Sequence, residues 1–391
     1  MKRRHMILIN LIFIGLMCFS AGTVYQFMTG TKPLSILASL GHHGNKAVVV
    51  KTTSCDTQKA LPLGNATDPG LKKLAIYQQA CHSFVTGTEM IFVSMPVDQA
   101  TAVAYGKQDA AILKQYAQYG VRPLIIAEPT DQQGNNIDFG WFAAGNDTAA
   151  INTYFATIKA AGITDKQMGI WNPFPEANLP YWKNNLPEYF APNINIYVGA
   201  LRSVFPTAAT SVMLNSATYS TTDFNWQNGE YDSLLPYVKG ITPGLINYAG
   251  VQGFPWLAQA GGTGAIVNAA EFLSPDLLSE MADSLGTKNV WFNTGTFTTK
   301  YALDPQQIVT MTAQRRKAVL ATVNDQALAL KKEGYNVAVN IFAQNKSNDS
   351  EETDWSYWGA GGPFASESTP VITDFVNQLN TEHIPFWLFD R

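Results

Sequence analysis

Gly169-Ile-Trp-Asn-Pro-Phe-Pro-Glu-Ala-Asn-Leu-Pro-Tyr-Trp182 opens as a short apolar run and then breaks into prolines. One carboxylate, Glu176, falls where a strand beginning near Met168 should end, and Asn178, Tyr181 and Trp182 follow at once. An acid among apolar rings loses solvation, which disfavours its charged form and raises its pKa toward the range of a general acid. A Pro-rich loop whose Glu merely caps the next helix would have the same composition. The larger repeat in which this segment sits decides between them.

That repeat is a series of short apolar runs. They are Lys46-Ala-Val-Val-Val-Lys-Thr, Met90-Ile-Phe-Val-Ser-Met-Pro, Arg122-Pro-Leu-Ile-Ile-Ala-Glu-Pro and Met168-Gly-Ile-Trp-Asn-Pro in the first half. Ser211-Val-Met-Leu-Asn-Ser, Ile246-Asn-Tyr-Ala-Gly-Val-Gln-Gly-Phe, Asn289-Val-Trp-Phe-Asn-Thr-Gly-Thr-Phe and Asn336-Val-Ala-Val-Asn-Ile-Phe-Ala-Gln follow. Most alternate little, as parallel strands buried on both faces do. Helical patterns lie between them: one from Asp109 to Tyr119 stopping at Gly120, one from Thr148 to Ala161 stopping at Gly162, and a longer one from Gln306 to Lys332 stopping at Gly334. Glycine just past a helix end is the expected stop. Eight strands alternating with helices over about 340 residues predict an α/β chain folded as a (β/α)8 TIM barrel. An open doubly wound sheet is the competing architecture, but no glycine-rich phosphate turn follows the first strand.

Catalytic groups of such a barrel sit where strands end and βα loops begin. Counting Lys46 as the first strand, those ends carry Asp98 after strand two, Glu128 at strand three and Glu176 at strand four. Asn215, Gln252, Asn293 and Gln344 close strands five to eight. Loops add Asp131, Asp138, Trp141, Trp226, Glu230, Trp256, Asp354, Trp355 and Trp358, so rings, amides and carboxylates converge on one face. Flat rings beside a carboxyl group suit a sugar, whose C–H faces pack on aromatic surfaces. A single ring at a barrel rim more commonly just covers it. No cationic cluster joins these groups, which argues against a phosphorylated substrate.

Asn172-Pro-Phe-Pro-Glu-Ala-Asn-Leu resembles the strand-four motif of the clan of (β/α)8 retaining glycoside hydrolases, most of all the β-mannanase family, where an Arg-Pro-Phe-His-Glu-Met-Asn-Gly-type run carries the acid/base. Pro173, Phe174, Glu176 and Asn178 match; Asn172, Pro175, Ala177 and Leu179 do not. Gly250-Val-Gln-Gly-Phe keeps the glycines of the family's strand-six Gly-Leu-Asp-Gly-Tyr but lacks its Asp and its Tyr hydroxyl. The resemblance implies Glu176 as general acid/base on a β-linked polysaccharide of mannan or glucan type. It also implies a nucleophilic Glu at the end of strand seven, yet Trp291-Phe-Asn-Thr-Gly-Thr-Phe297 has no carboxylate. Retaining enzymes need two carboxyl groups about 5–5.5 Å apart and inverting ones about 6.5–9.5 Å. Glu128, one strand from Glu176, is the nearest partner by strand order, with Asp98, Glu230 and Asp354 behind it. Trp171, Asn178, Tyr181, Trp182, Asn215, Gln252, Trp256, Trp291 and Asn293 are the expected substrate-binding residues. A barrel that binds glycans without cleaving them is the alternative; a lyase or aldolase has no strand-end Lys to support it.

The chain has 391 residues, 12% aromatic and 14% charged, enough for one large barrel and little else. A net charge of −4 leaves no basic footprint for nucleic acid. P-loop, HExxH and paired CxxC motifs are absent from the sequence, and His42, His43 and His82 show no ligand spacing, so neither metal nor cofactor is expected.

Met1-Lys-Arg-Arg-His5 is cationic and the run from Met6 to about Gly22 is uncharged and mostly apolar. Residues 1–28 therefore read as a signal anchor or a cleaved signal peptide, 29–45 as a linker and 46–391 as the barrel, with the barrel exported and a membrane contact through the N-terminal segment. Cys55 and Cys81 would pair in an oxidising compartment, a cross-link that stabilises by about 3–4 kcal/mol. Two buried thiols are the other reading.

Overall fold

The computed structural model describes residues 90–120, 122–131, 135–179, 182–219, 226–230, 232–253, 274–294, 313–341, 378–379, 381–382, 384 and 386–388. The N-terminal apolar segment, the linker, the expected strand at 46–52, Cys55 and Cys81 lie outside the described residues, as do Tyr181, Trp256, Gln344, Asp354, Trp355 and Trp358. Among the described residues, no helix is long and apolar enough to cross a membrane.

The chain enters the sheet with β1 (Met90–Ser94), continues through β2 (Leu124–Glu128) and β3 (Ile170–Pro173), and reaches β4 (Ala209–Asn215). A short antiparallel hairpin, β5 (Ala217–Tyr219) and β6 (Trp226–Glu230), leaves the sheet before β7 (Tyr248–Gln252) rejoins it beside β4. β8 (Asn289–Thr294), β9 (Asn336–Ile341) and β10 (Phe386–Leu388) complete an eight-stranded sheet in the order β1-β2-β3-β4-β7-β8-β9-β10. Every pairing in it is parallel.

Spatial order equals chain order, and right-handed crossovers then place all connecting helices on one face. The opposite face stays dry only if the sheet curls on itself. It does stay dry: Leu124, Ile126, Ile170, Met213, Trp291 and Ala338, drawn from five strands, form one buried inner cluster. Residues of the other parity, among them Ile125, Ala127, Trp171, Val212, Leu214, Ala249, Val251, Phe292, Val337 and Val339, join the helix-packed outer core. Both faces of β2, β3, β4, β7 and β8 are buried, which is why these runs alternate so little in sequence. The fold is a (β/α)8 barrel.

The described sheet has eight strands, of which Phe386–Leu388 is the last, and the expected strand at 46–52 lies outside the described residues. Within the described sheet Glu176 follows the third strand and Asn289–Thr294 is the sixth.

Gly250 shows how the interior is filled. A Cβ there would lie 2.3 Å from Cε2 of Trp291, because the Trp291 indole crosses β7 to donate Nε1–H to the Ser211 hydroxyl of β4 at 2.8 Å. Only glycine leaves room for that crossing.

Helices α1 (Gln99–Gln118), α2 (Phe139–Ala143), α3 (Thr148–Ala160) and α4 (Pro187–Val204) cover the first strands. α1 begins a full ten residues before the expected Asp109, because Asp98 caps it. The Asp98 carboxylate accepts from Thr101 N–H at 2.7 Å while the Thr101 hydroxyl accepts from Asp98 N–H at 3.1 Å. The helices α5 (Leu235–Val238), α6 (Pro275–Leu285) and α7 (Ala313–Lys332) serve the second half.

Candidate active site

The three residues after β3 include two with a strained backbone. Phe174 and Glu176 both adopt left-handed conformations, with φ of 52° and 50°, although neither is glycine. Each such residue costs on the order of 1–3 kcal/mol and persists only where its surroundings enforce it. Here they do. Phe174 N–H donates to the Ala127 carbonyl of β2 at 3.0 Å, and Glu176 N–H to the Met213 carbonyl of β4 at 2.9 Å. Leu179 N–H closes the turn on the Glu176 carbonyl at 2.9 Å, and the Trp182 indole N–H holds the Pro175 carbonyl at 2.9 Å. The Phe174 ring is gripped edge-on by Phe139 and Phe142 of α2, at centroid distances of 5.2 and 4.9 Å.

This turn delivers the Glu176 side chain to the C-terminal mouth of the barrel. Its Oε1 accepts the side-chain amide of Asn215, at the end of β4, at 2.8 Å. It also accepts the side-chain amide of Gln252, at the end of β7, whose own oxygen accepts the amide of Asn293 from β8. The carboxyl group is buried, so its direction is fixed by two donors and by packing. Asn178 locks the arrangement from behind: its amide donates to the Asn215 carbonyl at 2.6 Å and its Oδ1 accepts from Asn215 N–H at 2.9 Å.

Glu128 ends β2 and shares the inward parity of Leu124 and Ile126, so it stands at the mouth one strand from β3. It is buried. Asn172, inward on β3 and level with Ile126, is fully buried with no hydrogen-bond partner for either amide atom among the described residues. An unpaired buried amide costs about 1–3 kcal/mol, so this amide calls for a polar partner.

The expected residues therefore divide. Glu176, Asn215, Gln252 and Asn293 form one hydrogen-bonded chain at the mouth, Glu128 stands at the same end, and Asn178 supports Asn215. The three described rings expected as cleft walls are placed differently. Trp171 has the opposite strand parity to Asn172 and lies outside the sheet, edge-on to Tyr154 and Phe155, with its N–H on the Met168 carbonyl at 2.8 Å. Trp291 fills the barrel interior, and Trp182 is buried under the Glu176 turn. None of the three presents an open ring face to a sugar. Among the carboxylates, Asp98 caps α1, and Asp138 caps α2 while accepting from Asn184 at 2.7 Å and pairing with Lys183 at 3.2 Å. Asp131 holds the Asn135 backbone and amide at 2.8 and 2.9 Å. These three acids are engaged in local structure.

The sequence reading missed the Phe139–Phe174–Phe142 anchor and the inward amide of Asn172. Strand alternation carried the signal for Asn172, since Ile170 and Asn172 must share a face and Trp171 must oppose them.

No protein-family model matches the chain, and neither does any curated protein. Solved structures similar to it include the exo-β-1,4-mannosidase Op5Man5 from Opitutaceae bacterium strain TAV5, at 14% identity and a TM-score of 0.47 over 86% of this chain. This chain spans 59% of the length of that mannosidase. An endo-β-1,4-mannanase from Thermotoga petrophila follows at 11% identity and a TM-score of 0.38, covering 77% of this chain and 74% of that one. A D-psicose 3-epimerase matches at 12% identity and a TM-score of 0.40, covering 80% of this chain and 92% of that one. Likenesses this distant carry no argument about the reaction, which rests on the residues at the mouth.

Proposed function

We propose that this chain is a glycoside hydrolase-like barrel acting on a β-linked polysaccharide of mannan or glucan type, with Glu176 as its general acid/base. The observation that carries this reading is the Glu176 turn itself. Two left-handed residues, an aromatic anchor and an asparagine clasp all serve to hold one buried carboxyl group in one direction at the barrel mouth. Proton transfer to a leaving glycosidic oxygen needs such a group within hydrogen-bonding reach and correctly aimed. The neighbouring amides of Gln252 and Asn293, with the Asn172 amide that has no partner among the described residues, are the type of groups that read sugar hydroxyls.

Glu128 is the second carboxyl group in this scheme. It activates water on the opposite face of the sugar, which makes the reaction inverting. Freshly cleaved product examined by proton NMR should show the axial reducing-end anomer first, and Glu128→Gln should abolish its release. Initial appearance of the equatorial anomer overturns the role given to Glu128.

A barrel that binds glycans without cleaving them is favoured by one feature: Asn215, Gln252 and Asn293 put amides, not carboxylates, on the strand ends around Glu176. Binding of a β-mannan or β-glucan with no release of reducing ends would select that reading. Export of the barrel and a membrane contact through residues 1–28 belong to the same proposal and rest on the sequence alone.

A further inference from the structure

The side chains of four tryptophans are described: Trp141, Trp171, Trp182 and Trp291. The last three are at most 4% exposed, and each donates its indole N–H to a protein oxygen. Trp141 is 43% exposed. Single exposed rings are common on protein surfaces and require no explanation by themselves. What distinguishes Trp141 is the rigidity and position of its backbone.

Trp141 sits in α2, within the connection between β2 and α3, on the same side of the barrel as the Glu176 turn. Its N–H donates to the Asp138 carboxylate at 3.1 Å, and its carbonyl accepts the Asn146 amide at 2.8 Å. The two residues beside it in α2 that point inward, Phe139 and Phe142, are the ones that grip Phe174. Asp138 also accepts from Asn184, and Phe139 N–H donates to the Lys183 carbonyl at 3.1 Å, so α2 is fastened to the far end of the same loop. Helix α2, residues 174–179 and residues 182–184 are thus tied together. One part aims Glu176 into the mouth; another holds an indole ring open to solvent.

We infer that Trp141 is a stacking platform for a sugar unit remote from the scissile bond, receiving the same β-linked chain that Glu176 engages. This rests on the glycan reading of the mouth. A ring held on a fixed backbone loses little freedom when a sugar packs on it, so its apolar face turns into affinity with small loss to ordering. A platform away from the cleavage point is met by a long chain and missed by a disaccharide. Its contribution therefore depends on substrate length.

The test uses the full-length chain with glucomannan, which contains both β-1,4-mannose and β-1,4-glucose, and with mannobiose and cellobiose. Trp141→Ala should weaken glucomannan binding about tenfold, the change expected when roughly 60 Å² of apolar ring surface loses its partner. Trp141→Phe should restore most of it, and disaccharide binding should not change. Because the ring is exposed, thermal melting of Trp141→Ala should match the parent. Equal glucomannan affinity of Trp141→Ala and parent overturns the platform. So does an equal loss for disaccharides and polymer, which would mark a general disturbance of the mouth. The parallel variant Glu176→Gln separates the two ideas. If it cleaves glucomannan like the parent while Trp141→Ala binds weakly, the role of Glu176 fails and the platform stands. If the parent binds no glucomannan, both fail.

Discussion

Asn215 donates its side-chain N–H to Oε1 of Glu176 at 2.8 Å, and its backbone is clasped on both polar atoms by the side chain of Asn178. In the proposed reaction Asn215 is a positioning residue: its own direction is fixed, and it passes that direction to the carboxyl group. Asn215→Ala should lower kcat on polysaccharide by roughly tenfold or more with a much smaller change in KM, as loss of alignment in the transition state does. Steady-state kinetics on a soluble β-mannan or β-glucan reads both parameters. A rise in KM at unchanged kcat would instead make Asn215 a substrate contact.

The positions of those residues were legible in the sequence, but their directions were less so. Apolar runs bounded by polar residues gave seven strands and placed Glu128, Glu176, Asn215, Gln252 and Asn293 at their ends. Gly120, Gly162 and Gly334 marked three helix ends correctly. Nearness to Glu176 in sequence points Trp171 to the mouth, yet a one-residue change of position on a strand reverses the face. The strand Phe386–Leu388 is three residues long, too short for any periodicity to show. The grip of Phe139 and Phe142 on Phe174 depends on a long-range contact between two loops, which local pattern does not reveal. Asp98 and Asp138 are residues whose type suits catalysis and helix capping equally, and their caps appear only once the helix starts are seen.

Asp109 gives the fold a pH dependence. It lies between α1 and α3, where the Tyr154 hydroxyl donates to its Oδ2 at 2.6 Å. Burial pushes its pKa from 3.8 up to about 7, against the opposing pull of that hydrogen bond. Burial, followed by the charge of Asp98, likewise pushes Asp147 up to about 7. A raised acid holds its proton in the folded state over a range in which the unfolded chain has released it. Stability from these two groups is thus full below about pH 4 and is lost as pH rises toward and through 7, by up to about 1.4 kcal/mol per pH unit per group. Asp109→Asn can still accept from Tyr154 and never ionises. Urea denaturation at pH 5 and pH 8 should show a smaller loss between the two for the variant than for the parent. An unchanged difference would mean that Asp109 does not hold a proton in the fold.

In the proposed reaction the Glu176 carboxyl group performs proton transfer at a sugar site. Glu176→Gln keeps the shape, and its amide oxygen can still accept from Asn215 and Gln252, so binding should persist. Removing general acid catalysis should slow release of reducing ends from β-mannan or β-glucan by about 10²–10⁴-fold. The measurement is the hydrolysis rate of parent and Glu176→Gln on a panel of these polysaccharides, with binding of the same polymers followed in parallel. A rate reduced by that factor at near-parental affinity is the predicted result. Hydrolysis by Glu176→Gln at the parent rate would contradict it.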